Sequence, residues 1–202
     1  MEVLKQCIGK KSFLYDKKGE EHYNIISALH KSMRNSDPDA AVYYLAKMLY
    51  AGEDIKFIAR RILIHAAEDV GMADPQALAV ASAAAQAAER VGMPEAQIIL
   101  AQAVIYVATA PKSNSVVRAI GEAMDAVKHE KIMPVPVHLQ DSHYRGAQKL
   151  GHGDGYQYPH DFPNHYIRQQ YLPDNLEGRS FYHMSDQGYE KHIREFMRFL
   201  KK

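Results

Sequence analysis

Cysteine is nearly absent: the 202 residues contain one, Cys7. A single thiol excludes an intramolecular disulfide and a cysteine-based zinc finger, and it fits a reducing compartment. An excess of charge is missing too, with 25 basic against 24 acidic residues and a formal net charge of +1. Counterion-driven nucleic-acid binding needs a clustered basic surface, so a dedicated one is not expected. The basic pairs Lys10-Lys11, Lys17-Lys18, Arg60-Arg61 and Lys201-Lys202 read as solvated faces. No long hydrophobic run occurs. MEVLKQCIGKKSFLYDKKGEE at the start lacks an apolar stretch of signal-peptide length. IILAQAVIYVATA, the greasiest segment, is broken by Gln102 and too short to cross a bilayer. The expectation is a cytoplasmic protein with no membrane partner.

What is present is the composition of an ordinary globular protein, 47% apolar and 24% charged. From about residue 21 to 130 the pattern predicts helix after helix. HYNIISALHKSM places Tyr23, Ile26, Leu29, His30 and Met33 on one face at steps of three and four. Asp37 before Pro38 is an N-cap followed by proline at the first helical position. The helix it opens turns Ala41, Val42, Leu45, Met48 and Leu49 inward and ends at Gly52. DIKFIARRILIHAAEDV repeats Ile55, Ile58, Ile62, Ala66 and Val70 before Gly71. Asp74-Pro75 starts an alanine-rich helix reaching Gly92, suited to close approach of neighbouring backbones. The helix from Pro94 to Ala110 is apolar almost all the way round, so it is central or partly faces another chain. Ser113 or Ser115 caps a sixth helix, with Val116, Ile120, Ala123, Met124 and Val127 expected inward. The short connections make successive helices antiparallel neighbours.

The pattern changes near Ile132. PVPV at 134–137 cannot be helical. A short helix over Ser142–Leu150 and a final one over 186–200, with Tyr189, Ile193, Phe196 and Leu200 inward, bracket an irregular aromatic-rich segment expected to pack on its own tyrosines. The fold class is therefore mainly α: an antiparallel helical bundle, an irregular aromatic-rich segment and a C-terminal helix. The division expected is a leader over 1–20, a first helical region over 21–65 and a second domain over 66–202. That domain is helical over 66–130, irregular over 131–184 and ends in a helix over 185–202.

Chemical motifs are scarce. GHGDGYQYPHDFPNH, residues 151–165, groups three histidines and two aspartates, and a metal-dependent hydrolase built on it is one reading. Pro163 between His160 and His165 prevents their presentation from one helical face, and His152 stands apart, so a packed loop is the favoured reading. Gly9-Lys10-Lys11-Ser12 fails as a phosphate loop, because Leu4 stands where the leading glycine belongs and Lys11 where Ser or Thr is required. ILIHAAED resembles an apolar strand with an acidic end, but its context is helical. Glu68 and Asp69 beside His65 read as a helix-end ion network with Arg60 or Arg61, and His30 and His65 as satisfied core residues. PKSNS at 111–115 reads as a proline stop and a helix cap.

Several longer stretches carry more. EEHYNIISALHKSMRNSDPDAAVYYLAKML, GEDIKFIARRILIHAAEDVGMADPQAL, LAQAVIYVATAPKSNSV, LGHGDGYQYPHDF and QQYLPDNLEGRSFY resemble, in this order, the C-terminal half of the replication-associated recombination protein A family, also called RarA or MgsA. Its eukaryotic relative is the Werner helicase-interacting ATPase. The resemblance implies the end of a AAA+ lid, to about residue 65, followed by a domain that assembles homotetramers. It implies no catalytic, cofactor or metal residue in this chain; ATP and magnesium belong to an ATPase module of the longer protein. That protein's implied partners are itself, DNA and single-stranded DNA-binding protein, and its implied place is the nucleoid. Helix 94–110 has more apolar surface than one core face requires, which makes Ile98, Ile99, Ile105 and Tyr106 the candidate subunit-contact residues. A monomeric helical adaptor is a further reading.

Overall fold

Asp-Pro steps and glycines punctuate the chain into helices where the sequence places them. The computed structural model describes residues 20–144 and 147–201. Cys7, the leader, the basic pairs at 10–11 and 17–18, Lys202 and the middle of the Ser142–Leu150 helix lie outside the described residues. Among the described residues there are seven α-helices and no strand: α1 Glu20–Arg34, α2 Pro38–Tyr50, α3 Ile55–His65, α4 Gln76–Val91, α5 Ala96–Thr109, α6 Ser115–His129 and α7 Glu190–Leu200.

The caps are those the sequence announces. Asp37 accepts from the Ala40 amide at 2.9 Å, Asp54 from Lys56 at 3.0 Å and Asp74 from Gln76 at 3.0 Å. Each satisfies one of the orphan N–H groups of a helix start. The third expected helix is shorter than its periodicity indicates. It ends at His65 and passes into a wider π turn over Ala66–Val70 and a 3-10 turn over Gly71–Ala73.

The chain divides into two compact units. The first ends at Val116 and takes in Ser185–Glu190. Its core is built of Leu29, Met33, Leu45, Met48, Ile58, Ile62, Leu100, Val104 and Val107, all closed to solvent. Helix α5 packs against each of α1 to α4 and is the centre of the unit. The face of α4 turned inward is all alanine, Ala77, Ala81, Ala84 and Ala88. Side chains this small let α4 and α5 make the most extensive helix pairing in the unit. Tyr23, expected inward, is exposed, because Ile25, Ile26, Leu29 and Met33 already form the buried stripe of α1.

The second unit runs Val117–Met184 and from Lys191 onward. Here several expectations change. Residues Val116, Ile120, Met124 and Val127 of α6 are exposed, while Ala126 is buried and Ala119 and Ala123 are half-buried. Periodicity finds an apolar stripe, but the small alanines occupy the inner side. Phe196 of the last helix is exposed as well, and so is Tyr189, which belongs to the first unit. Residues 142–144 are not helical, and only a 3-10 turn over Ala147–Leu150 forms. Tyr156, Tyr158 and Tyr171 are exposed, while Phe162, Tyr166, Phe181 and Tyr182 are half-buried. Polar bonds also stitch the irregular segment: Gly153 N to Val137 O at 2.9 Å, Gln169 Nε2 to Gln157 O at 2.9 Å, Asn175 Nδ2 to Lys131 O at 3.1 Å, and an Arg179–Glu130 ion pair.

Truncating the central helix tests this account of the core. Leu100→Ala is expected to lower unfolding free energy by about 2–5 kcal/mol in urea titration. Tyr23→Ala is expected to change it by less than about 0.5 kcal/mol.

Candidate functional site: the Asp69 hub and the outward apolar faces

The π turn after α3 carries the most concentrated group of titratable side chains in the first unit. Asp69 Oδ2 accepts from His65 Nδ1, and Asp69 Oδ1 accepts from Arg34 Nε at 2.7 Å. Glu68 takes a second Arg34 nitrogen at 3.2 Å. The ring of His30 lies 4.1 Å from that of His65, and Arg61 stacks over Phe57 at 4.9 Å. The expected network therefore exists, but its cation is Arg34, from a different helix, and not Arg60 or Arg61. Residue separation explains the miss: Arg34 stands 35 positions before Asp69. His65 is satisfied as expected, whereas the Nε2 of His30 and the Nε of Arg61 are buried with no hydrogen-bond partner among the described residues. Burial, and then the neighbouring His65, Arg61 and Arg34, lower the His30 pKa from 6.5 to about 4; Asp69 acts in the opposite direction. His65 is 3% exposed and Asp69 8%, so the pair has no face from which to meet a substrate. It fixes helices.

The backbone of Asp69 extends the hub. Its carbonyl accepts from the Ser113 amide at 2.8 Å, which anchors PKSNS on the turn. Gly71 is needed there: its φ is +51°, and a Cβ would lie 3.1 Å from the Ser113 carbonyl oxygen. Lys112 Nζ donates to the carbonyls of Val107, Ala108 and Ala110 at 2.9, 2.9 and 2.5 Å, closing the last turn of α5. Burial lowers its pKa. Ser113 and Ser115 donate to opposite oxygens of the Glu190 carboxylate at 2.7 and 2.5 Å. The Ser185 amide adds a bond at 3.0 Å and its hydroxyl another. Glu190 is fully buried. A buried carboxylate persists only when its lone pairs are met in this way. Gly188 lets the segment arrive, since a Cβ there would overlap the Ala73 carbonyl oxygen. The proline stop and cap read from PKSNS are real but incomplete, because Lys112, Ser113, Ser115 and Glu190 form one lock.

The histidines of 151–165 do not converge. His152 Nδ1 accepts from the Tyr144 hydroxyl at 2.8 Å, while His160 and His165 stack on each other at 4.7 Å. Among the described residues no three His, Cys, Asp or Glu side chains stand together as metal ligands.

Apolar surface is the other prominent feature. On α5, Ile98 is 68% exposed and Ile105 is exposed, while Ile99 and Tyr106 are half-buried. Tyr106 is already engaged through its hydroxyl with Asp74 at 2.8 Å. Ile98 borders a groove of about 610 Å³ between α2 and α5, lined by Val42, Leu45, Leu49, Met93 and Ala101. On α6, Ile120 is 60% and Val127 61% exposed. No helix among the described residues is long and apolar enough to cross a membrane.

Among the described residues these features define a mainly α-helical module with buried polar locks and outward apolar faces. The chain belongs to the MgsA AAA+ ATPase C-terminal family, whose match spans residues 35–201, and the AAA C-terminal domain family matches residues 1–34. It is 50% identical over 193 residues to an uncharacterised AAA domain-containing protein of Mycobacterium tuberculosis, covering 96% of this chain and 43% of that one. It is 50% identical over 182 residues to the replication-associated recombination protein A of Bacillus subtilis, covering 90% and 43%. The ATPase WRNIP1 of Dictyostelium discoideum is 39% identical over 172 residues, covering 85% and 20%. The chain thus spans less than half the length of these relatives.

Two outcomes test the locks. Above pH 6.5 His30 is neutral whether the chain is folded or not, and stability is full. As pH falls from 6.5 towards 4 the unfolded chain takes up a proton that folded His30 refuses, so stability is lost across that window and levels off below it. Urea midpoints measured against pH are expected to fall there, and His30→Leu to flatten the decline. Glu190→Ala strands Ser113 and Ser115 as buried hydroxyls and is expected to cost about 3 kcal/mol in the same titration.

Proposed function

We propose that this chain is a non-catalytic assembly region of a AAA+ ATPase that acts in replication-associated recombination, and that it self-associates as a homotetramer. The observation that carries this reading is the outward apolar surface of α5 and α6. Ile98, Ile105, Ile120 and Val127 lie on regular helices, where burial against another surface costs little ordering entropy. Contiguous exposed apolar patches on regular elements mark interaction sites. On α5 the contact residues are Ile98 and Ile105, with Ile99 and Tyr106 beside them.

Closed symmetry explains what such a region contributes. Linking ATPase modules through a common assembly raises their local concentration, so several engage one substrate together. ATP and magnesium are handled by the AAA+ module of the longer protein, which acts on DNA at stalled forks with single-stranded DNA-binding protein at the nucleoid. None of those contacts is assigned to residues of this chain. The family membership and the names of the relatives support that part of the reading.

Light scattering coupled to size exclusion, across a micromolar concentration series, tests the assembly. A mass near that of four chains is expected. A single-chain mass at every concentration would overturn self-association and favour the monomeric adaptor.

A further inference from the structure

Helix α6 is amphipathic the wrong way round for a helix serving its own core. Ala119, Ala123 and Ala126 face inward, and Val117, Ile120, Met124 and Val127 face out. The outward residues are spaced three, four and three apart. That is the a-d-a-d spacing of a helix meant to pair with another helix along a seam. Gly121 borders the seam in mid-helix, at a position where glycine weakens the helix and nothing among the described residues requires it. A Cβ built on it meets no atom within 4 Å. Its use is close approach by something outside the chain.

We propose that α6 is a homotypic seam: two copies of the chain pair antiparallel along Val117, Ile120, Met124 and Val127 about a two-fold axis. This rests on the self-association proposed above and names one of its surfaces. With the axis crossing between Ile120 and Met124, Val117 of one copy lies level with Val127 of the second, and Ile120 lies level with Met124. Every apolar position meets an apolar position. The same rotation brings Arg118 of each copy level with Asp125 of the other along one edge, and Gly121 leaves room there for the guanidinium to reach. A parallel pair would instead put the flank that carries Arg118 and Asp125 on opposite sides of the seam in the two copies, leaving Arg118 out of reach of the second copy's Asp125. Charge complementarity therefore selects a second copy in the antiparallel sense. Among the described residues Arg118 makes a loose contact, 3.7 Å, to the half-buried Glu122, which His183 also meets, so little is lost when Arg118 turns to the seam.

The test measures the light-scattering mass of the 202-residue chain and of four variants. Gly121→Leu adds a good helix former in open space, so its circular dichroism and thermal midpoint are expected to be retained or raised while the assembly mass falls by half or more. Arg118→Asp and Asp125→Arg are each expected to lower the mass, and the double variant to restore it, since the two-fold axis makes the swap self-complementary. An unmodified chain that assembles while Gly121→Leu keeps the full mass overturns the seam and leaves self-association standing. A double variant as dissociated as the single ones overturns the antiparallel pairing. An unmodified chain of single-copy mass overturns both the seam and the reading on which it rests.

Discussion

Everything in the first unit hangs on how Asp69 is satisfied. A carboxylate that is almost wholly buried is a liability unless its oxygens are paired, and the penalty for leaving it bare exceeds the worth of any single core methyl group. His65 and Arg34 meet the two oxygens, which fixes α3 and the C-terminal end of α1 against the turn between α3 and α4. The same residue's carbonyl takes the Ser113 amide, and that bond orients the serines that receive Glu190. One residue thus sets the order in which distant segments become compatible. Arg34 is the last residue matched by the AAA C-terminal domain family, and Asp69 lies in the stretch matched by the MgsA AAA+ ATPase C-terminal family. Their ion pair therefore joins two segments that are recognised separately in sequence but share one core here.

Polar and apolar groups have exchanged their usual places. The interior holds Glu190, Asp69, His65, Ser113 and Ser115 in a bonded net joined by the half-buried Ser185, while isoleucines and valines of α5 and α6 stand in solvent. Polar networks add little net stability, because each bond replaces one to water. Their effect is on uniqueness: a carboxylate with four donors tolerates one arrangement of the segments that supply them. Apolar faces behave oppositely, giving large and undirected stabilisation once covered. A module that must hold a fixed shape and bind through its outside is served by this distribution.

What was legible in the sequence follows the range of each interaction. Asp37-Pro38 and Asp74-Pro75 mark helix starts because a cap and the amide that donates to it lie within three residues, and both starts are where those pairs put them. The centrality of α5 was legible from its nearly complete apolar circumference. The orientation of α6 was not. Period 3.6 reveals a stripe of Val116, Ile120, Ala123, Met124 and Val127, of which only Ala123 turns partly inward; outside that stripe Ala126 is buried and Ala119 half-buried, since small side chains fit against a close neighbour as readily. The Arg34–Asp69 and Ser113–Glu190 contacts span 35 and 77 residues, and no local pattern encodes such pairings. PKSNS drew attention as a polar turn, yet its acceptor carries no signal beyond being an acidic residue at a helix start.

The two halves of the argument meet at the ends of helices. Ser115 is the first residue of α6 and Glu190 the first of α7, and both are held in the same buried net. Negative charge at the N-terminal end of α7 is favoured by the helix dipole, and the hydroxyls neutralise what the dipole does not. Ser115, the residue at which α6 begins, is tied to Asp69 through the 111–115 loop. A seam on a helix with a frayed start would lose entropy on every association. The buried serines and carboxylate hold the first residues of α6 and α7 in place, so for any partner that α6 meets part of that loss is removed beforehand.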